Sequence, residues 1–393
     1  MQSFTFKCPT EIVFGAEAEL TVAEKIRKYG GHHIYIIYGG GSVVKNGLLA
    51  RIERCLTSGG LAFEVLGGVQ PNPRLAFARE GVREALAFQS DFILAVGGGS
   101  VIDTAKAIAH GVANPGVDIW DFWSGKVPLT KTTPVGAVVT IAAAGSETSD
   151  SSVLTNEGTG KKAGLSSELN RPAVAFMNPE LTYTLPKWQI ACGIADILMH
   201  TLERYFAPTE GNSFTDLVAE ALMRNVIAKG RIAMANRKDY DAMSELLWCG
   251  SISHNGFTGL GREKDFSVHK LGHELSGKFD VSHGASLTAV WGTWARYVCQ
   301  ESPARFAQYA VRVWDIDSGT AEERARAGIR RTEEYFRELG LPTNFTELGI
   351  GVQKPESLEY LADMCTNHNT KTIGVFCPLH REEILTIYSA ANK

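Results

Sequence analysis

The sequence predicts an α/β half at residues 1–186 followed by an all-α half at residues 187–393. Three observations carry this expectation. Short apolar, β-branched runs alternate with segments of helical spacing through the first half, which implies a parallel sheet covered on both faces. Two of those runs lead straight into glycine clusters, Gly39–Gly41 and Gly97–Gly99. Beyond Thr184-Leu185-Pro186 the strand-like runs nearly vanish and long periodic segments take over. A chain of 393 residues also exceeds one ordinary core, so two domains are the default.

Taken in order, Met1–Gly15 reads as strand–turn–strand, without the basic leader and apolar core of a signal peptide. His33–Tyr38 is a short apolar and aromatic strand, and Val43–Ser58 behind it has helical spacing. Leu61–Leu66 is the next strand and Arg74–Phe88 an amphipathic helix. Asp91–Gly97 is a buried strand, Ser100–Ala109 a helix and Pro134–Thr140 a further strand. Pro186 suits the first turn of a helix, with Thr184 near its cap. Helical periodicity then covers Trp188–Ala207, Ser213–Ala235, Asp241–Gly256, Ala285–Glu301, Arg305–Trp314, Ala321–Leu339 and Pro355–Asn367.

Hydrophobic residues at 44%, charged residues at 21% and a net charge of −4 describe a soluble globular protein without a nucleic-acid footprint. No apolar run reaches membrane-spanning length. Seven scattered cysteines, with no C-x-x-C pair, fit reduced thiols in a cytoplasm and exclude thiolate-rich zinc sites.

Phe92–Lys106 places three glycines at the carboxyl end of a buried strand and the start of a helix. Helix N-termini offer free N–H groups and a positive dipole end, and glycine admits a close approach. A pyrophosphate is the natural guest, although the run is not G-x-G-x-x-G; a ligand-free tight turn is the competing reading. The loop after His33–Tyr38 carries Gly40, Gly41, Ser42 and Lys45 but no Asp or Glu. An acidic residue there holds a ribose 2′-hydroxyl, whereas a 2′-phosphate needs neutral or basic surroundings. The loop therefore favours NADP(H) over NAD(H).

Asp196 and His200 stand four apart, as do His269 and His273, and His283 follows. Helical i,i+4 spacing puts each pair on one face, where both members reach one ion. On otherwise apolar helices these groups need partners, and one cation satisfies most of them. Carboxylate and imidazole ligands without thiolate suit Fe²⁺, Zn²⁺, Co²⁺ or Ni²⁺. One arrangement has Asp196, His200, His269 and His283 as ligands and leaves His273 as a proton relay. The other has His269 and His273 both ligating and His283 outside. His254 and His368 lack such company and read as surface or loop residues.

Assembled, these motifs resemble the iron-containing (group III) alcohol dehydrogenase family, most of all its butanol dehydrogenase and NADPH-dependent aldehyde reductase branch. The likeness rests on Pro9–Gly15, Val69–Pro73, Gly97–Lys106, Trp120–Phe122, Ala144–Glu147, Asn178–Pro186, Asp196–His200, His269–Glu274 and His283–Ala285. Where the family often has Thr before the glycine of the fifth motif, this chain has Ala144.

The resemblance implies an α/β dinucleotide-binding domain and an all-α metal-binding domain, an architecture shared with 3-dehydroquinate synthase, with cofactor and metal in the cleft between them. It implies that Asp196, His200, His269 and His283 hold a divalent metal and that His273 stands near the nicotinamide. Gly98, Gly99, Ser100 and Asp103 would meet the pyrophosphate and its surroundings. Gly40, Gly41, Ser42 and Lys45 would line the adenosine phosphate end with Asn72 nearby, and Thr140 and Lys162 the cofactor cleft.

The expected activity is reversible hydride transfer between NADP(H) and a primary alcohol or aldehyde, by a cytoplasmic homodimer with neither nucleic-acid nor membrane partners. An NAD(H)-preferring polyol or diol dehydrogenase of the same fold is the alternative. A dehydroquinate synthase-like lyase fits the Asp-x-x-x-His pair poorly, and the paired glycine loops disfavour a hydrolase or a non-enzymatic metal binder. Trp120, Phe122, Trp123 and Phe257 are candidates either for a substrate-pocket wall or for ordinary core.

Overall fold

In the computed structural model, which describes residues 1–208 and 211–393, the chain divides into two units. One is Lys7–Leu185; the other joins Met1–Phe6 to Pro186–Lys393. The first six residues thus group with the helical unit rather than with the first half. Gln2 N–H donates to the Gly261 carbonyl at 2.9 Å, and the Phe6 ring lies 5.8 Å from that of Phe257.

The α/β unit contains strands β1 (Glu11–Phe14), β2 (His33–Tyr38), β3 (Ala62–Gly67), β4 (Phe92–Gly97), β5 (Val135–Val139), β6 (Ser151–Asn156), β7 (Lys161–Ser166) and β8 (Val174–Met177). Its helices are α1 (Val22–Lys28), α2 (Ser42–Lys45), α3 (Leu48–Ser58), α4 (Leu75–Ala87), α5 (Gly99–Ala113) and α6 (Ile119–Trp123). Six strands form one sheet in the order β1-β8-β5-β4-β2-β3, with every neighbouring pair parallel. Strands β4 and β5 are buried along their whole length, as strands covered on both faces must be. Ile34, Ile36, Leu94, Val96 and Phe176 pack with Ile26, Ile52 and Leu56 of α1 and α3 in one core cluster.

The strand order creates a switch point. From β2 the chain moves outward to β3, then returns to β4 on the other side of β2. Connections leaving the carboxyl ends of β2 and β4 therefore diverge, and in open α/β sheets ligands bind in the crevice so formed. Both glycine loops leave from this point.

Several sequence expectations need correction. Met1–Gly15 forms one strand, β1, instead of two. The helix expected over Val43–Ser58 breaks at Asn46-Gly47, where Asn46 Oδ1 accepts the Leu48 N–H at 3.1 Å. Pro186 is the N-cap of its helix, not its first turn. The antiparallel hairpin β6–β7 was not foreseen: the sequence KKAGLS of β7 contains two lysines and a glycine and no β-branched residue. Phe122 and Trp123 belong to a core cluster with Trp120 packed on it, and Trp123 Nε1–H donates to the Ser152 carbonyl at 3.1 Å. They are core residues.

The helical unit consists of α7 (Lys187–Tyr205), α8 (Ser213–Ala235), α9 (Tyr240–His254), α10 (Ser267–Phe279), α11 (His283–Val298), α12 (Pro303–Trp314), α13 (Ala321–Glu338), α14 (Pro355–Cys365) and α15 (Arg381–Ala391). Helix α7 is central, buried from Ile190 onward almost without interruption, and it packs on α8, α9 and α11. Such burial all round suits a helix whose polar residues have work inside the protein. Among the described residues no helix is long and apolar enough to cross a membrane.

One buried group ties stability to pH. His110 of α5 has its ring nitrogens 2.8 Å from Thr132 Oγ1 and 2.8 Å from Asn170 Oδ1, and burial lowers its pKa to about 4. Only the unfolded chain takes up this proton between pH 6.5 and 4, so the contribution is full above pH 6.5 and lost as pH falls through about 4. Unfolding midpoints measured across that range are expected to fall with pH in the native chain. They should fall less steeply in His110→Gln; an equal slope in both would assign the acid sensitivity elsewhere.

Candidate metal centre

Helix α7 supplies the first half of the site. Asp196 and His200 project from successive turns, both buried, and His200 Nδ1 lies 3.2 Å from Asp196 Oδ1 and 2.9 Å from the Asp196 carbonyl oxygen. Helix α10 brings His269, whose Nε2 lies 3.6 Å from the same Oδ1. The first residue of α11 brings His283, with Nε2 3.7 Å from it. Three imidazoles from three helices thus converge on one carboxylate oxygen. One candidate ligand atom each from Asp196, His200 and His269 falls within 4.8 Å of the others.

The chemistry of this set fits a divalent cation. Asp196 Oδ1 and His269 Nε2 are buried and make no hydrogen bond, a costly state that a shared cation relieves. Burial, then the charges of His254 and His269, hold the His200 pKa well below its usual value, which keeps its imidazole neutral and able to ligate. For His269, burial acts downward but is outweighed by Glu203 and Asp196, leaving its pKa raised to about 9. A metal at this site must displace that proton.

Local hydrogen bonds hold the starts of the two helices that carry His269 and His283. Ahead of α10, Asp265 accepts the Ser267 N–H at 3.0 Å through Oδ1 and the Val375 and Phe376 N–H groups at 2.8 and 2.9 Å through Oδ2. At the start of α11, the Ser286 hydroxyl donates to the His283 carbonyl at 2.7 Å and lies 3.0 Å from Ser276 Oγ of α10. Trp188 of α7 donates from its indole to Ser282 Oγ at 3.1 Å. The His283 side chain is 29% exposed, against 6% for Asp196 and 7% for His269, so the cluster opens toward solvent at His283. His273 stands on this side, its ring 5.2 Å from that of His283 and 6.1 Å from that of His269.

Sequence reasoning missed part of this cluster. His254 is buried, not superficial; its ring centroid lies 3.9 Å from that of His200. Arg204 donates to the His200 carbonyl at 2.7 Å and lies 3.1 Å from His254 Nδ1. Glu203 accepts from the His269 ring and from its backbone N–H. The spacing argument that found Asp196 and His200 extends one turn further to Glu203, at i+3 from His200. Nothing in the sequence ties His254 to α7, because that contact is purely tertiary. His368 lies in an exposed turn.

The α/β unit gathers the other expected residues at the carboxyl edge of its sheet. Gly98 is the N-cap of α5, and a Cβ there would lie 2.7 Å from the Ile141 side chain, which would have to shift to admit it. Thr140 N–H donates to the Gly97 carbonyl at 3.1 Å, which places Thr140 beside Gly98, Gly99 and Ser100. Gly40, Gly41, Ser42 and Lys45 follow the adjacent strand β2, and Lys45 is exposed. Lys162 Nζ donates to Asn72 Oδ1 at 2.9 Å. Asp103 faces inward: it accepts the Ser146 hydroxyl at 2.6 Å and the Val153 N–H at 2.9 Å. Its carboxylate braces the loop after β5.

Comparison with known proteins reads the same way over the whole length. The family model described as iron-containing alcohol dehydrogenase matches residues 9–179, and that of the C-terminal part of the Fe-containing alcohol dehydrogenase family matches residues 190–392. The chain belongs to the iron-containing alcohol dehydrogenase family. It is 38% identical over 390 residues to NADH-dependent butanol dehydrogenase A of Clostridium acetobutylicum, covering 99% of each chain. It is 32% identical over 395 residues to the NADPH-dependent aldehyde reductase YqhD of Escherichia coli, covering 100% of each. The crystal structure of NADH-dependent butanol dehydrogenase A from Thermotoga maritima superposes with a TM-score of 0.95 at 32% identity, covering 100% of this chain and 99% of that one.

Proposed function

We propose that this family member is a divalent-metal-dependent alcohol dehydrogenase and aldehyde reductase that moves hydride between NADP(H) and a primary alcohol or aldehyde. The observation that carries the reading is the convergence of His200, His269 and His283 on Asp196 Oδ1. We assign these four residues as the metal ligands, with Fe²⁺ or Zn²⁺ ahead of Co²⁺ and Ni²⁺ for an N₃O set without thiolate. When bound, the ion supplies a Lewis acid that polarises the substrate oxygen.

The residues of the chain do the rest. The partial exposure of His283 leaves the oxygen of a small substrate an approach from solvent. His273, half-buried beside His283, exchanges the alcohol proton with water. In the α/β unit, Gly98, Gly99 and Ser100 seat the pyrophosphate at the N-terminus of α5. Gly40, Gly41, Ser42 and Lys45 receive the adenosine end, and the lack of a carboxylate there favours a 2′-phosphate. Asn72, Thr140 and Lys162 line the remainder. The scattered cysteines, with no C-x-x-C pair, are those of a reducing cytoplasm, and we infer a homodimer from the family resemblance.

The test is a panel of primary alcohols, aldehydes and diols with both nicotinamides, run on chelated protein and after reconstitution with single metals. Turnover is expected to vanish on chelation and to return with one divalent ion. NADPH should be preferred over NADH by about tenfold at limiting concentration, the factor that ~1.4 kcal/mol of extra contacts supplies. Undiminished turnover without metal would end the reading; a strong NADH preference would end the assignment of the Gly39–Ser42 loop.

A further inference from the structure

We propose that Glu203 is a positioning residue for the metal centre, holding His269 in the one tautomer and orientation in which its Nε2 is the ligand atom. The proposal rests on the assignment of Asp196, His200, His269 and His283 as metal ligands. Glu203 is fully buried, and a buried carboxylate persists only where hydrogen-bond donors or cations meet it. Two donors meet it here, both from His269: the backbone N–H, 3.1 Å from Oε1, and the ring Nδ1, against Oε2.

The two contacts do separate things. Helix α10 begins at Ser267, so the His269 N–H belongs to its first turn and has no partner within the helix. A negative group at that end also faces the positive pole of the helix dipole. Glu203 therefore anchors the start of α10 to α7, the helix that carries Asp196 and His200. Its second oxygen accepts the Nδ1–H, so the nitrogen left to give its lone pair to a metal is Nε2, 3.6 Å from Asp196 Oδ1 and otherwise without a hydrogen bond. A carboxylate behind an imidazole also makes that nitrogen a stronger donor to a metal. With Asp196 it supplies two negative charges, which balance a divalent cation held by three neutral imidazoles.

Glutamine at this position keeps the shape but offers one acceptor oxygen and an NH₂. One of the two His269 donors then faces another donor. The experiment compares the native chain, Glu203→Gln and Glu203→Asp, each freed of metal and titrated with Co²⁺. Folding is followed by circular dichroism, and the His269 tautomer by ring-¹⁵N chemical shifts. Native protein is expected to bind Co²⁺ with a visible ligand-field spectrum. Glu203→Gln should bind about 10- to 100-fold more weakly, the usual cost of losing such a partner. Its spectrum should be altered and the Nδ1–H form of His269 less populated, while NADPH fluorescence quenching stays unchanged. Glu203→Asp carries the same test if the glutamine variant does not fold. A folded variant with native Co²⁺ affinity, spectrum and tautomer overturns the positioning role and leaves the metal site standing. Failure of both variants to fold overturns it too, by making Glu203 a determinant of the fold. No Co²⁺ binding by the native chain would remove the metal assignment itself.

Discussion

Replacing His269 with Ala is expected to strip the divalent ion and lower turnover by about a thousandfold, the equivalent of ~4 kcal/mol of lost Lewis-acid stabilisation. The substitution removes a buried imidazole held by Glu203 on one side and facing Asp196 on the other. His283→Ala is expected to act in the same direction, because its Nε2 approaches the same carboxylate oxygen at 3.7 Å. His273→Ala should instead keep its metal and change the dependence of turnover on pH. Metal content by atomic emission and steady-state rates on the same preparations decide among these. Full retention of metal and rate by His269→Ala would sink the ligand assignment. Retention by His283→Ala together with loss in His273→Ala would select the arrangement in which His273 ligates.

Gly284→Ala is expected to damage the same centre without touching any ligand. A Cβ on Gly284 would lie 2.3 Å from the Cys192 carbonyl oxygen and 2.8 Å from the Cys192 Cα and carbonyl carbon. These are backbone atoms of α7, so no side-chain rotation relieves the clash. The first turn of α11 must move away from α7, and it takes His283 with it, away from Asp196. Overpacking of this kind costs about 2 kcal/mol, and a loss of that size should appear as a lower thermal midpoint. The informative readout is metal affinity, expected to fall in protein that is still folded. An alanine variant with native metal affinity and native midpoint would show that α11 has slack at this position.

The sequence made the broad layout legible because its signals are local. Alternation of β-branched runs with amphipathic stretches marks β2 to β5 and their helices, and the long periodic segments mark α7 onward. It could not reveal β7, where lysines and glycine obscure the strand, or the break between α2 and α3, where Asn46 turns the chain through its own side chain. Pairing order was beyond it as well. That β2 and β4 are neighbours, with β3 outside them, is a fact of tertiary assembly, and it is what sets the two glycine loops at one edge.

The candidate site divides along the same line. Asp196 and His200 are found by spacing alone, because i,i+4 residues share a helix face, and the set Asp196, His200, His269 and His283 was recognisable as a donor set for a divalent ion. The sequence could not say whether His273 or His283 approaches the carboxylate, for both lie within reach along the chain. Only the packing of α10 and α11 on α7 brings His283 Nε2 to Asp196 Oδ1. The inward places of Glu203, Arg204 and His254 were hidden for the same reason: burial and ring contacts are made between helices, and local periodicity carries no record of them. The sequence by itself determined which donors exist and on which faces they lie. The tertiary structure decided which of them meet, because convergence depends on helix crossings fixed by close contacts such as Gly284 against Cys192.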